Sequence, residues 1–125
     1  MLLADDSFEN RELMRLLLSR FSLVLDEAEN GREAVELFER QTYELILMDI
    51  QMPVLDGFAA TSAIRSIERC RSVRPTAIVA LTAHADETDI QNCKAAGFDD
   101  HLSKPFKKNA LFALLARYVR GIEYG

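Results

Sequence analysis

Apolar runs and helical patterns take turns along this chain. Leu2 to Ala4 is a short apolar run that stops at two acids, Asp5 and Asp6. Residues 8–20 read as a helix with Phe8, Leu13, Met14, Leu16, Leu17 and Leu18 apolar. Leu13 to Leu18 cover an arc of about 200°, wider than the roughly 100° stripe that a core-facing helix needs. Either this helix is deeply buried, or its rim at Met14 or Leu18 docks a partner. Phe21 to Leu25 reads as a second strand. Asn30-Gly31 marks a turn, and Arg32 to Arg40 carries Ala34, Val35, Leu37 and Phe38 at helical spacing.

Leu45 to Met48 is a continuous apolar run ending at Asp49, as in a strand covered on both faces. Pro53 and Gly57 bracket a loop before a helical pattern over Phe58 to Arg69. Pro75 breaks the chain ahead of a fourth strand, Ala77 to Leu81. Asp86 to Ala96 reads as a helix closed by Gly97, a residue suited to the left-handed position past a helix end. A fifth strand covers Asp99 to Ser103, and a last helix runs from Lys107 to Tyr118. Strands alternating with helices predict an α/β domain with a doubly wound, five-stranded parallel sheet, five helices and right-handed crossovers.

In such a sheet the carboxyl ends of the strands share one edge, where ligands bind. Asp5-Asp6, Asp49, Thr82 and Ser103-Lys104-Pro105 all fall at strand ends and would meet there. Asp49 is the candidate nucleophile, since a carboxylate can attack phosphorus to give an aspartyl phosphate; a helix-capping acid is the plainer alternative. Three packed carboxylates repel, and without a cation at least one resists ionisation. Mg²⁺ suits such a site, because it takes one or two carboxylates, waters and phosphate oxygens. The Thr82 hydroxyl and the Ala83 amide are donors for a phosphoryl oxygen. Lys104 supplies a mobile point charge, and Pro105 after it permits a cis bond.

Composition narrows the class without changing this picture. The 125 residues suit one domain over 1–125, with 49% apolar and 28% charged residues. A net charge of −5 argues against direct nucleic-acid binding. No run approaches the roughly 18 apolar residues of a membrane helix, and the start does not resemble a signal peptide. Cys70 and Cys93 form no CxxC pattern and suit reduced thiols in a cytoplasmic setting. Arg65, Arg69, Arg71 and Arg74 form a basic stretch, either a solvated face or a partner contact. His84 reads as a loop residue beside the site.

Ala4-Asp5-Asp6-Ser7, Met48 to Pro53, Asp56-Gly57, Ala80 to Ala83 and Leu102-Ser103-Lys104-Pro105, in this order, resemble the CheY-like receiver domains of two-component response regulators. His84-Ala85 and Gly97-Phe98-Asp99-Asp100 look most like receivers attached to hybrid histidine kinases. The resemblance implies a flavodoxin-like sheet of order 2-1-3-4-5, the order familiar from CheY itself. It also implies that Asp49 accepts phosphoryl from a phosphohistidine of a histidine kinase or a histidine-containing phosphotransfer domain. Asp6 would bind Mg²⁺ directly, Asp5 mainly through water, and the Gln51 backbone carbonyl would be a further ligand. Thr82 and Lys104 would hold phosphoryl oxygens. Slow self-dephosphorylation, a weak homodimer and a place on the cytoplasmic side, as part of a membrane-bound hybrid kinase or alone, complete these expectations.

One position departs from the family. Three residues before the lysine an aromatic side chain is usual, and its inward turn with the threonine makes the switch. His101 stands there. It either fills that slot or is a surface histidine without a switching role. Two other classes fit less well. A haloacid-dehalogenase-type phosphatase needs a DxD on the first strand and a cap. A flavodoxin-type cofactor site needs a phosphate loop where Asp5-Asp6-Ser7-Phe8-Glu9 is acidic.

Overall fold

The computed structural model describes residues 1–83 and 86–119. The elements run β1 (Leu2–Ala4), α1 (Phe8–Leu18), β2 (Asp26–Ala28), α2 (Gly31–Arg40), β3 (Leu45–Asp49), α3 (Gly57–Arg71), β4 (Ala77–Thr82), α4 (Glu87–Ala96), β5 (Asp100–Ser103) and α5 (Lys108–Tyr118). All pairings are parallel, in the order β2-β1-β3-β4-β5. Successive strand residues point to opposite faces, and this divides the core into two layers. Leu2, Ala4, Ile46, Met48, Ile78 and Ala80 pack under α2, α3 and α4. Leu3, Leu45, Leu47, Val79 and Leu81 pack under α1 and α5. Each face needs its own cover, which explains the unbroken apolar run in β3.

Caps set the helix starts. Ser7, Asn30, Asp56 and Asp86 each accept a backbone N–H from the first turn of the helix that follows. α2 and α3 therefore begin one residue earlier than their apolar periodicity suggests, at Gly31 and Gly57. Gly97 closes α4 in the left-handed region at φ 109°.

One expectation needs correction, and two open alternatives are resolved. The second strand is not Phe21 to Leu25 but Asp26–Ala28. Its register is set by pairing, Leu2 with Asp26 and Ala4 with Ala28, so polar residues form the edge strand. The apolar stretch before it is packing material: Phe21 meets Phe112 edge to face at 5.0 Å, and Leu23 and Leu25 lie against the α1–α5 layer. Met14 and Leu18 are not a docking rim. They are 0% and 4% exposed and form the inward stripe of α1 together with Arg11. The exposed apolar residues of α1 are Phe8, Leu13 and Leu16, at 58%, 40% and 71%.

The basic stretch is likewise not uniformly solvated. Arg65 donates to the carbonyls of Gly97 and Thr76 and to Glu68 and Asp99, tying α3 to the end of α4 and the start of β4. Glu68, buried, accepts the Thr76 amide at 2.6 Å.

Gly57 is where a helix start meets a strand end. A Cβ there would lie 2.1 Å from the Asp49 carbonyl oxygen and 2.8 Å from the Ile50 Cα. Both neighbours are backbone, so β3 or α3 must move. Gly57→Ala is expected to destabilise the domain by about 2–3 kcal/mol, measured by urea unfolding.

Candidate functional site

β1 and β3 run side by side, with Ala4 opposite Met48, so the residues that follow, Asp5 and Asp49, emerge together at the sheet edge. Asp5 is fully buried and heavily tethered. Its amide donates to the Ala28 carbonyl at 3.0 Å, and its Oδ1 accepts the Ser7 amide at 2.9 Å. Its Oδ2 accepts from Asn10 Nδ2 at 3.3 Å, and its carbonyl accepts from Arg11 at 2.8 Å. Asp6, the next residue, is exposed, and among the described residues it makes no hydrogen bond or ion pair. One acid is fixed and its neighbour is left free.

Asp49 closes β3 and is 4% exposed. Its Oδ1 accepts the Gln51 amide at 3.1 Å, and its Oδ2 accepts from Lys104 Nζ at 2.9 Å. Lys104 follows β5, lies 3.6 Å from Asp5 Oδ2, and is anchored by its own amide, which donates to the Thr82 carbonyl at 2.8 Å. The Lys104–Pro105 peptide is cis. Burial pushes the Asp49 carboxyl above the ordinary carboxylate range; the Asp5 charge adds to this, and the Lys104 hydrogen bond and charge oppose it. For Lys104, burial pulls downward, but the carboxylates of Asp49 and Asp5 outweigh it and its pKa is raised.

These groups border a cleft of about 850 Å³ lined by Asp6, Asp49, Gln51, Thr82, Ala83 and Lys104, among others. One carboxylate oxygen from each of Asp5, Asp6 and Asp49 lies within 4.8 Å of the others. Hard oxygen donors converging on an open cleft fit a small divalent cation. The position and charge of these groups allow an anion to enter only if something balances the acids. Lys104 is already engaged by Asp49.

The response regulator receiver domain model matches residues 1–116. The chain belongs to this family. It is 42% identical over 114 residues to hybrid signal transduction histidine kinase B of Dictyostelium discoideum, covering 85% of this chain and 6% of that protein's length. The receiver thus spans a small part of the curated kinase it matches. A receiver domain of a Pseudomonas aeruginosa sensor histidine kinase, solved with a magnesium ion in its active-site cleft, is 41% identical with a TM-score of 0.82. That match covers 94% of this chain and 93% of the other. A chain from the co-crystal structure of the Saccharomyces cerevisiae histidine phosphotransfer protein Ypd1 with the receiver domain of Ssk1 is 31% identical. Its TM-score is 0.90, with 94% and 86% of the two chains covered.

His101 lies in β5 opposite Ala80, half-buried, and borders a hollow of about 230 Å³ with Ile90, Cys93, Lys94 and Phe98. The other histidine, His84, lies outside the described residues. Cys93 is buried and Cys70 exposed, both as free thiols.

Periodicity and charge alone did not point to Asn10, Arg11 or Gly57, although all three shape the receiver's site. For Arg11 a signal existed: a charged residue three before Met14 and seven before Leu18 must share their inward stripe. Asp56 and Gly57 were visible as part of a motif, and Asp56 contributes the α3 cap at the rim of the cleft.

Because folding makes the Asp49 carboxyl easier to protonate, the stability it contributes is greatest below the ordinary carboxylate range. That contribution is lost as pH rises through the folded midpoint. Asp5→Asn should lower this midpoint and Lys104→Met should raise it, read from the Asp49 side-chain carboxyl ¹³C shift against pH. Opposite signs would mean that the charges do not act on Asp49 as their distances indicate.

Proposed function

We propose that this receiver accepts a phosphoryl group from a partner's phosphohistidine onto Asp49 and relays it or signals through protein contacts. The supporting observation is the buried Asp49 carboxylate, with Lys104 at 2.9 Å and the acids Asp5 and Asp6 beside it at the mouth of an open cleft. An Asp49 oxygen attacks phosphorus in line; the P–N bond to the partner imidazole breaks, and its electron pair returns to the ring nitrogen. No proton is taken from the nucleophile, so the chain needs no general base. Its work is positioning and charge balance.

Asp6, Asp49 and the Gln51 carbonyl are the groups to hold Mg²⁺, with Asp5 acting mainly through water. When bound, the ion offsets the negative charge of both the acids and the phosphoryl group. Lys104 leaves part of its attraction for Asp49 and neutralises a phosphoryl oxygen. The Thr82 hydroxyl and the Ala83 amide donate to the others. Thr82 and His101 together form the switch in this proposal, His101 filling the hollow beside α4. Slow hydrolysis of the acyl phosphate follows from the openness of the cleft to water. We take residues 1–125 as one receiver domain, working on the cytoplasmic side as part of a hybrid kinase or beside one, with weak self-association as a further property. Among the described residues no helix is long and apolar enough to cross a membrane.

Phe8, Leu13 and Leu16 supply the docking face. They are exposed on the helix that begins just after the acid pair, on the side away from Met14 and Leu18. An apolar face on the helix that follows the acid pair suits a partner helix that presents its histidine to Asp49.

Incubation with acetyl phosphate and Mg²⁺ should add one phosphoryl group to the intact mass, lost in Asp49→Asn and without the ion. Lys104→Ala should slow the addition by roughly 10²-fold. A phosphoryl group retained in Asp49→Asn would reject the assignment. Phe8→Ala combined with Leu16→Ala should slow transfer from a phosphorylated histidine-phosphotransfer protein about tenfold, while labelling by acetyl phosphate stays unchanged. Equal loss with both donors would place these residues in the chemistry rather than in docking.

A further inference from the structure

Arg11 is a cation on the buried stripe of α1, and it is only 7% exposed. A buried guanidinium must be paired and hydrogen-bonded to be tolerated, and Arg11 divides its nitrogens among three partners. Nη1 donates to the Asp5 carbonyl at 2.8 Å, Nε lies 3.3 Å from Glu27 and Nη2 3.5 Å from Glu29. The Phe8 ring lies 5.8 Å from its central carbon. One rigid fork therefore ties α1 to the end of β1 and the end of β2.

The bond to Asp5 is made by the main chain, not the carboxylate. With its amide on Ala28 and its carbonyl on Arg11, the Asp5 peptide is held from both sides. The direction in which the chain leaves Asp5 sets where Asp6 points, and Asp6 has no tether of its own among the described residues. We propose that Arg11 is a positioning residue for the metal-receiving acids, orienting Asp6 towards the cleft through the Asp5 carbonyl. This rests on the Mg²⁺ site proposed above. Groups that hold metal ligands in place commonly change affinity by an order of magnitude or more when removed. Lysine cannot substitute well, because a single ammonium cannot reach three partners in fixed directions.

Charge and position make opposite forecasts here. Loss of a cation beside three acids, by charge alone, tightens Mg²⁺ binding. Loss of the bracket weakens it.

The test is a titration of the whole chain with MgCl₂, followed by amide NMR shifts at Asp5 to Ser7 and Asp49 to Gln51. Arg11→Met is expected to weaken binding about tenfold, and Arg11→Lys to weaken it less but measurably. Arg15→Met is the structural control: Arg15 pairs with the same Glu27 at 2.8 Å but is half-exposed and does not reach Asp5. It should lower the melting temperature and leave the Mg²⁺ affinity unchanged. If Arg11→Met does not fold, Arg11→Lys carries the comparison. Affinity equal to or tighter than wild type in the folded Arg11 variants overturns the proposal. A wild-type chain that binds no Mg²⁺ overturns the site itself, and the positioning role with it.

Discussion

The contact between Lys104 and Asp49 holds the sheet edge together electrically. It joins the ends of β5 and β3, strands that are not neighbours, across the intervening end of β4. Without that ammonium, Asp49, Asp5 and Asp6 would bring three negative charges together with little water around two of them. With it, the charges are only partly balanced. The remaining imbalance is what makes the cleft receptive to a cation and, once a cation is present, to a phosphoryl group.

Much of the surrounding structure serves to keep that imbalance in a fixed shape. Asp5 is tethered by Ser7, Asn10, Arg11 and Ala28, so it cannot swing away from its like-charged neighbours. Gly57 lets the start of α3 lie against the Asp49 backbone, and its amide donates to the Ile50 carbonyl at 2.8 Å. On the far side, Arg65 performs a related service for α3, α4 and β4, with Glu68 and Asp99 as counter-charges. Rigid supports leave the mobile roles to few side chains. Lys104 has a flexible stem, and Asp6 is exposed.

The family relationship and the geometry bear on different questions. Membership of the receiver family, through a match over residues 1–116, tells that the chain works in two-component signalling. The geometry concerns which atoms are available and in what electrostatic state. Asp49 has both oxygens occupied in this state, one by Gln51 and one by Lys104. Any incoming group must therefore compete with or recruit these contacts.

Apolar runs such as Leu2 to Ala4, Leu45 to Met48 and Ala77 to Leu81, alternating with helical periodicity, were enough to determine the α/β class and the five polar groups at its edge. That worked because burial on both sheet faces requires unbroken apolar strands, as in Leu45 to Met48, and because parallel strands all end on one side. Where the local signal and the pairing disagreed, tertiary structure decided. β2 formed from Asp26–Ala28 rather than from Phe21 to Leu25, since an edge strand is chosen by its register with β1 and not by its own hydrophobicity. Met14 and Leu18 turned inward and Phe8, Leu13 and Leu16 outward, because the direction of a helix face depends on what packs beside it. The burial of Arg11 and the close approach of Gly57 to Asp49 are also tertiary facts. Each depends on backbone atoms of another segment, so its partners could not be read from the order of side chains, although the spacing of Arg11 from Met14 and Leu18 did put it on their inward stripe.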